Sequence, residues 1–97
     1  MREIASRSDF VAWLARQSNK RWFGRGACDC PLARYSECIV GASDYVTPTG
    51  QVYKLPPWAV TFVRQYDGLY WMQTRIGAGT LRESMRGAHF RAALEGT

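Results

Sequence analysis

The apolar periods of this chain are short, and proline or glycine punctuates them, so it can only assemble brief elements around a shared core. Phe10, Trp13, Leu14 and Gln17 fall at helical spacing with Val11 beside them, which predicts a helix over Ser8 to Gln17 capped by Ser8 or Asp9. Ser18 to Ala27 has no apolar period and two glycines, and reads as a loop. A second helix of about ten residues opens at Asp29, Cys30 and Pro31, with Asp29 as cap. It places Leu32, Tyr35 and Ile39 on one face and closes at Gly41. Tyr45 to Thr47 and Gln51 to Leu55 flank a turn with proline second and glycine fourth, a short β-hairpin. Pro56 and Pro57 then start a helix in which Ala59, Phe62, Val63 and Tyr66 share a face, and Gly68 ends it. The run from Leu69 to Thr74 suits a strand or the edge of a buried helix, with strand preferred. After the breaker at Gly77 to Gly79, Thr80 and Glu83 have capping-box spacing for a last helix over Leu81 to Leu94, burying Leu81, Met85, Ala88 and Ala92. The expected fold is α+β: three to four short helices packed with a small antiparallel hairpin, as a single domain over residues 1–97.

A chain of 97 residues buries only about 60–70% of the surface its unfolded form exposes, which leaves little room for a deep catalytic cleft. Thirteen Lys and Arg against eight Asp and Glu give a net charge of +5, so acidic surfaces are the expected partners. The amino terminus lacks the apolar core of a signal peptide and no stretch is long enough to span a bilayer, so a cytoplasmic protein without membrane attachment is expected. Three cysteines, two of them separated by one residue, make a poor disulfide framework and suit a reducing compartment.

Cys28, Cys30, Cys38 and His89 are the soft ligands available to a zinc ion, but a Cys-x-Cys pair is tighter than the usual knuckle and His89 is distant. The preferred reading makes Cys38 a core residue and Cys28 and Cys30 loop or cap residues, with no metal or other cofactor. A thiol nucleophile would need His89, the only histidine, as its base, and no spacing supplies a third orienting group. No hydrolase, zinc-protease, kinase or phosphate-loop signature occurs, so a non-enzymatic protein is expected.

The segment Lys20, Arg21, Trp22, Phe23 and Arg25 interleaves cations with aromatics, and with Arg16 it carries no acid, as a partner-binding loop would. The plainer alternative folds Trp22 and Phe23 over the core with their basic neighbours solvated. Arg82, Arg86 and His89 form a second basic stripe at helical spacing, partly neutralised by Glu83 and Glu95, which makes the loop the preferred contact centre. Arginine outnumbers lysine eleven to two, a bias that suits bidentate recognition of carboxylates and phosphates. Trp58, next to two prolines, reads as structural, whereas Trp71 beside Tyr70 reads as an exposed anchor.

Phe10 with Trp13 and Leu14, the Cys-Pro-Leu-Ala-Arg-Tyr run at 30–35, and Leu55 to Trp58 leading to Phe62, Val63 and Asp67 resemble a pattern of short uncharacterised bacterial and phage proteins. The resemblance spans about residues 10 to 85 and implies no activity. By analogy with small phage anti-defence proteins of the anti-CRISPR kind, the expected function is a binding protein that docks on a larger protein or nucleoprotein complex with an acidic surface and blocks it. The alternative is a nucleic-acid-binding regulator that uses the same basic aromatic loop.

Overall fold

The structure, a computed structural model, describes residues 2–24, 26–69 and 75–86. In chain order these form α1 (Arg7–Ala15), β1 (Trp22–Gly24), α2 (Pro31–Ser36), β2 (Ile39–Val40), β3 (Asp44–Val46), β4 (Val52–Lys54), α3 (Pro57–Leu69), β5 (Arg75–Gly77) and α4 (Ala78–Arg86). Short helices packed with small antiparallel sheets make this an α+β protein, as the sequence predicts. Among the described residues no helix is long and apolar enough to cross a membrane.

Helix α1 starts earlier than its apolar spacing suggests, because Ser6 is the cap: its Oγ accepts from the Asp9 amide at 3.3 Å. The helix buries Phe10, Trp13 and Leu14, the residues expected to face inward. Helix α2 is capped by Cys30, whose Sγ accepts from the Ala33 amide at 3.4 Å, and not by Asp29. It closes at Glu37, well before Gly41, with Glu37 in the left-handed region at φ 61° and its amide donating to the Ala33 carbonyl at 2.8 Å. That conformation costs a non-glycine residue about 1 kcal/mol. It frees the next residues to run extended, so Ile39 sits on β2 and is exposed instead of facing the core from a helix.

Strands β2, β3 and β4 pair antiparallel in that order, with Ile39 opposite Val46, Val40 opposite Tyr45, and Val46 opposite Val52. The predicted hairpin is thus present, with a third strand added from the segment assigned to the second helix. Its turn is closed by the Gly50 amide on the Thr47 carbonyl at 2.9 Å, and Gly50 takes φ +89°, which a side chain would strain. Helix α3 begins at the second proline and continues one residue beyond Gly68. Helix α4 begins at Ala78, so Thr80 lies inside it and not at its cap. The Ala78 amide is instead taken by the Arg21 carbonyl at 2.7 Å. The predicted extension of this helix to Leu94 and the segment 70–74 lie outside the described residues.

Aromatic rings converge on Phe10, which is fully buried. Its ring meets Phe62 edge-on at 5.1 Å, Tyr35 edge-on at 5.4 Å and Trp58 stacked at 5.7 Å. Each such pair contributes about 0.5–1.5 kcal/mol beyond area burial. Trp58 is structural as expected, with its indole N–H donating to the Ala5 carbonyl at 3.2 Å. Replacing Phe10 by alanine removes its ring contacts to Tyr35 of α2 and to Trp58 and Phe62 of α3 together, and urea denaturation should show a loss of about 3–5 kcal/mol.

Burial raises the pKa of the Cys30 thiol and of the Tyr35 and Tyr45 phenols above their ordinary values of 9.0 and 10.0. Each group therefore favours its neutral form more in the folded than in the unfolded chain. Their contribution to stability is whole below pH 9 and is lost as pH rises through the raised values. Thermal melts should hold level through neutrality and fall progressively above pH 9, and a Tm still rising there would contradict the assignment.

Candidate partner interface

Strands β1 and β5 form a separate two-stranded antiparallel sheet, with Trp22 opposite Gly77, Phe23 opposite Ile76 and Gly24 opposite Arg75. The expected loop over residues 18–27 thus contains a strand. Alternation divides its side chains: Phe23 and Ile76 point inward and are buried, whereas Trp22 and Arg75 share the outer face with Gly24 and Gly77. Phe23 is consequently a core residue and offers no surface to a partner, which corrects its expected place in the contact set. Tyr66 on α3 fixes β1 from below, its hydroxyl lying 3.2 Å from both the Phe23 and Gly24 carbonyl oxygens.

Trp22 is 53% exposed. Its six-membered ring stands over the hydrogen face of Gly77, where an added Cβ would lie 3.7 Å from Cζ3. The Arg75 guanidinium carbon is 5.3 Å from the ring centroid, within cation–π range. An indole held by the sheet and by a stacked guanidinium loses little rotamer freedom on contact with a partner.

Arg21 is half-buried, with its guanidinium 5.1 Å from the Trp13 centroid and 5.5 Å from that of Phe23 and hydrogen-bonded to the Gln17 side chain. Gln17 in turn donates to the Trp13 carbonyl at 2.9 Å. Arg21, a member of the expected contact loop, thus also closes the core beneath β1. Lys20 and Arg16 are exposed. Arg25 and His89 lie outside the described residues, as do Tyr70 and Trp71, and Arg86 is placed only as the last residue of α4.

Of the carboxyl-terminal stripe, only the Arg82 side chain lies among those described, and it reaches the end of α1 that precedes the loop. Arg82 donates from Nη1 to the Ala15 carbonyl at 2.8 Å, satisfying an end of α1 where positive charge is favoured. Residues 10–28 and 68–82 contain no Asp or Glu, and between them carry Arg16, Lys20, Arg21, Arg25, Arg75 and Arg82. Pairing β1 with β5 joins these two stretches, which end at Asp29, whose carbonyl accepts from the Gly24 amide, and at Glu83 on α4. Arg75 was missed as a candidate, because a three-residue strand among glycines gives no readable alternation.

Cys30 and Cys38 are buried and Cys28 is exposed. Cys30 serves as the α2 cap, and Cys38 donates its thiol to the Ser36 carbonyl at 3.5 Å. Among the described residues no three His, Cys, Asp or Glu side chains converge as a metal site would require. Burial holds the Cys30 thiol protonated at neutral pH, which makes it a weak nucleophile. Iodoacetamide at neutral pH should label Cys28 on the folded protein, with Cys30 and Cys38 reacting only after denaturant is added, as mass spectrometry of the peptides would read. Rapid labelling of Cys30 in the native state would overturn its role as a structural sulfur.

No protein-family model matches the chain, and neither does any curated protein or solved structure compared with it.

Proposed function

We propose that the protein is a small non-enzymatic binding protein that docks on an acidic surface of a larger protein or nucleoprotein complex and blocks it by occupying a site, in the manner of anti-CRISPR and other phage anti-defence inhibitors. The observation that carries the reading is the exposed Trp22 indole, backed by Gly77, stacked on Arg75 and surrounded by two acid-free stretches. Tryptophan and arginine are the residue types most enriched among binding hot spots, and here they are adjacent and positioned before contact. Lys20 extends the positive charge beside them, with its backbone held by the Ser18 hydroxyl at 3.2 Å. The phage connection rests on the resemblance and on small size; the docking chemistry rests on the face itself.

The same indole and guanidinium suit a second reading, a nucleic-acid-binding regulator, since bases stack on tryptophan and phosphates pair with arginine. Salt separates the two. Neutralising several phosphates releases counterions and makes affinity fall steeply with ionic strength, whereas a mixed protein interface responds less.

The test is affinity capture from the native host with and without nuclease, followed by titration of the retained partner. Trp22→Ala should weaken binding by about 2 kcal/mol or more and Arg75→Ala by about 1 kcal/mol, with both variants still folded. Arg21→Ala should lower the melting temperature, because it opens the surface over Trp13 and Phe23. Full retention of affinity in the Trp22 variant would move the contact to another face. Tight binding to short duplexes with a log–log salt slope of several contacts would replace the inhibitor reading with the regulator.

A further inference from the structure

The three-stranded sheet has two edges, and only one of them is closed among the described residues. On the β2 side the Val40 amide donates to the Ala27 carbonyl at 2.9 Å, so the loop before α2 covers that edge. The β4 side has no such cover. The Thr47 amide bonds the Gln51 carbonyl and the Leu55 amide bonds the Ser43 carbonyl, each at 2.9 Å, which fixes the ladder phase between β3 and β4. In that phase Tyr53 exchanges backbone bonds with Tyr45, and the N–H and C=O groups of Val52 and Lys54 point away from the sheet. All three β4 residues are exposed.

The side chains beside this edge define what it would take. Ile39, Val46 and Val52 lie in one cross-strand row on the outer face, with Ile39 51% and Val52 63% exposed. Lys54 shares that face, directly across from Asp44. No ion pair to Lys54 forms among the described residues. Tyr53 faces the other way, its ring 5.6 Å from that of Tyr45. An edge with free amides, a β-branched row and one cation is a template for an added strand. A second copy of this chain is the poorer occupant, because each copy carries a net charge of +5 and would bring its own edge lysine to the contact.

We infer that β4 receives an extended acidic–apolar segment of a partner protein as an antiparallel fourth strand, with a carboxylate residue opposite Lys54 and a β-branched residue opposite Val52. The added strand takes its backbone bonds from Val52 and Lys54 and continues the row begun by Ile39 and Val46. This surface is distinct from the Trp22 face, and its test does not depend on that face.

The probes are two synthetic pentapeptides, acetyl-Thr-Glu-Tyr-Val-Thr-amide and its counterpart with lysine in place of glutamate, titrated into the isotope-labelled protein by NMR. The acidic peptide should shift the Val52 and Lys54 amides, slow their hydrogen exchange, and bind about fivefold tighter than the basic one, the ratio an exposed ion pair sustains. Val52→Pro removes one outward N–H without breaking the ladder to β3, and should abolish binding. Lys54→Glu should invert the preference between the two peptides, and decides the matter if the proline variant does not fold. Trp22→Ala should leave peptide binding unchanged, so failure here and failure of the docking face are read separately. Absence of any shift, equal affinity for the two peptides, or protection of these amides by raising protein concentration alone, which would mean a second copy, overturns the inference.

Discussion

The three-residue pairing of β1 with β5 brings together residues far apart in the chain, Trp22 to Gly24 with Arg75 to Gly77. Such a pairing closes a long loop, and so brief a ladder does not offset that entropy through its own hydrogen bonds. What holds it is the inner row, Phe23 and Ile76, both buried in the core that also holds Trp13, Tyr66 and Leu81. The Tyr66 hydroxyl, 3.2 Å from both the Phe23 and Gly24 carbonyl oxygens, donates its single proton to this pair of acceptors and so places its own buried hydroxyl at little cost. The Ala78 amide on the Arg21 carbonyl then launches α4 directly from the strand. The orientation of Trp22 is thus a consequence of core packing: with Phe23 directed inward, strand alternation sends its neighbour outward.

The long periodic segments were legible in the sequence because a helix with an apolar face writes itself over several turns. Phe10, Trp13 and Leu14, and likewise Ala59, Phe62 and Tyr66, are buried on the faces their spacing assigns. The hairpin was legible through its turn chemistry, where proline and glycine occupy positions with fixed dihedral demands. The end of α2 was not. Leu32, Tyr35 and Ile39 continue a helical period, yet a left-handed Glu37 breaks it, since pairing Ile39 and Val40 with β3 adds a third strand and buries Cys38 and Val40. A long-range pairing outweighed a local pattern, and no signal at Glu37 itself announces it.

The candidate face was legible in composition and hidden in geometry. Cations interleaved with aromatics at residues 20–25 point to a contact surface whatever the fold, but only the strand assigns Trp22 to the outside and Phe23 to the core. Cys30 shows the same limit. A proline after it marks a helix start, whereas the choice of Cys30 over Asp29 as cap depends on which side chain is directed at the Ala33 amide. Arg75 and Arg82 could not be joined to the loop from the sequence at all, because the contacts that bring them there, Gly24 with Arg75 and Arg82 with Ala15, cross more than forty residues.

The cations around Trp22 divide by what their donors are already doing. Arg21 stacks on two core rings and bonds Gln17, and Arg82 holds the Ala15 carbonyl, so neither presents its full fork of N–H groups outward. Their charge is not consumed by these contacts, since a neutral acceptor leaves the field of a guanidinium intact at distances up to the Debye length of about 8–10 Å. In the docking we propose, they would steer an acidic partner toward the face without contributing much to the grip. Arg75, stacked on an exposed indole, and Lys20, with its side chain in solvent, retain donors for direct contact. Under the same proposal, steering by internally committed arginines would raise the encounter rate, while an indole already fixed over Gly77 would limit the entropy lost on docking. On that proposal a small domain gains from this division, because the residues that close its core would also supply the field that brings the partner in.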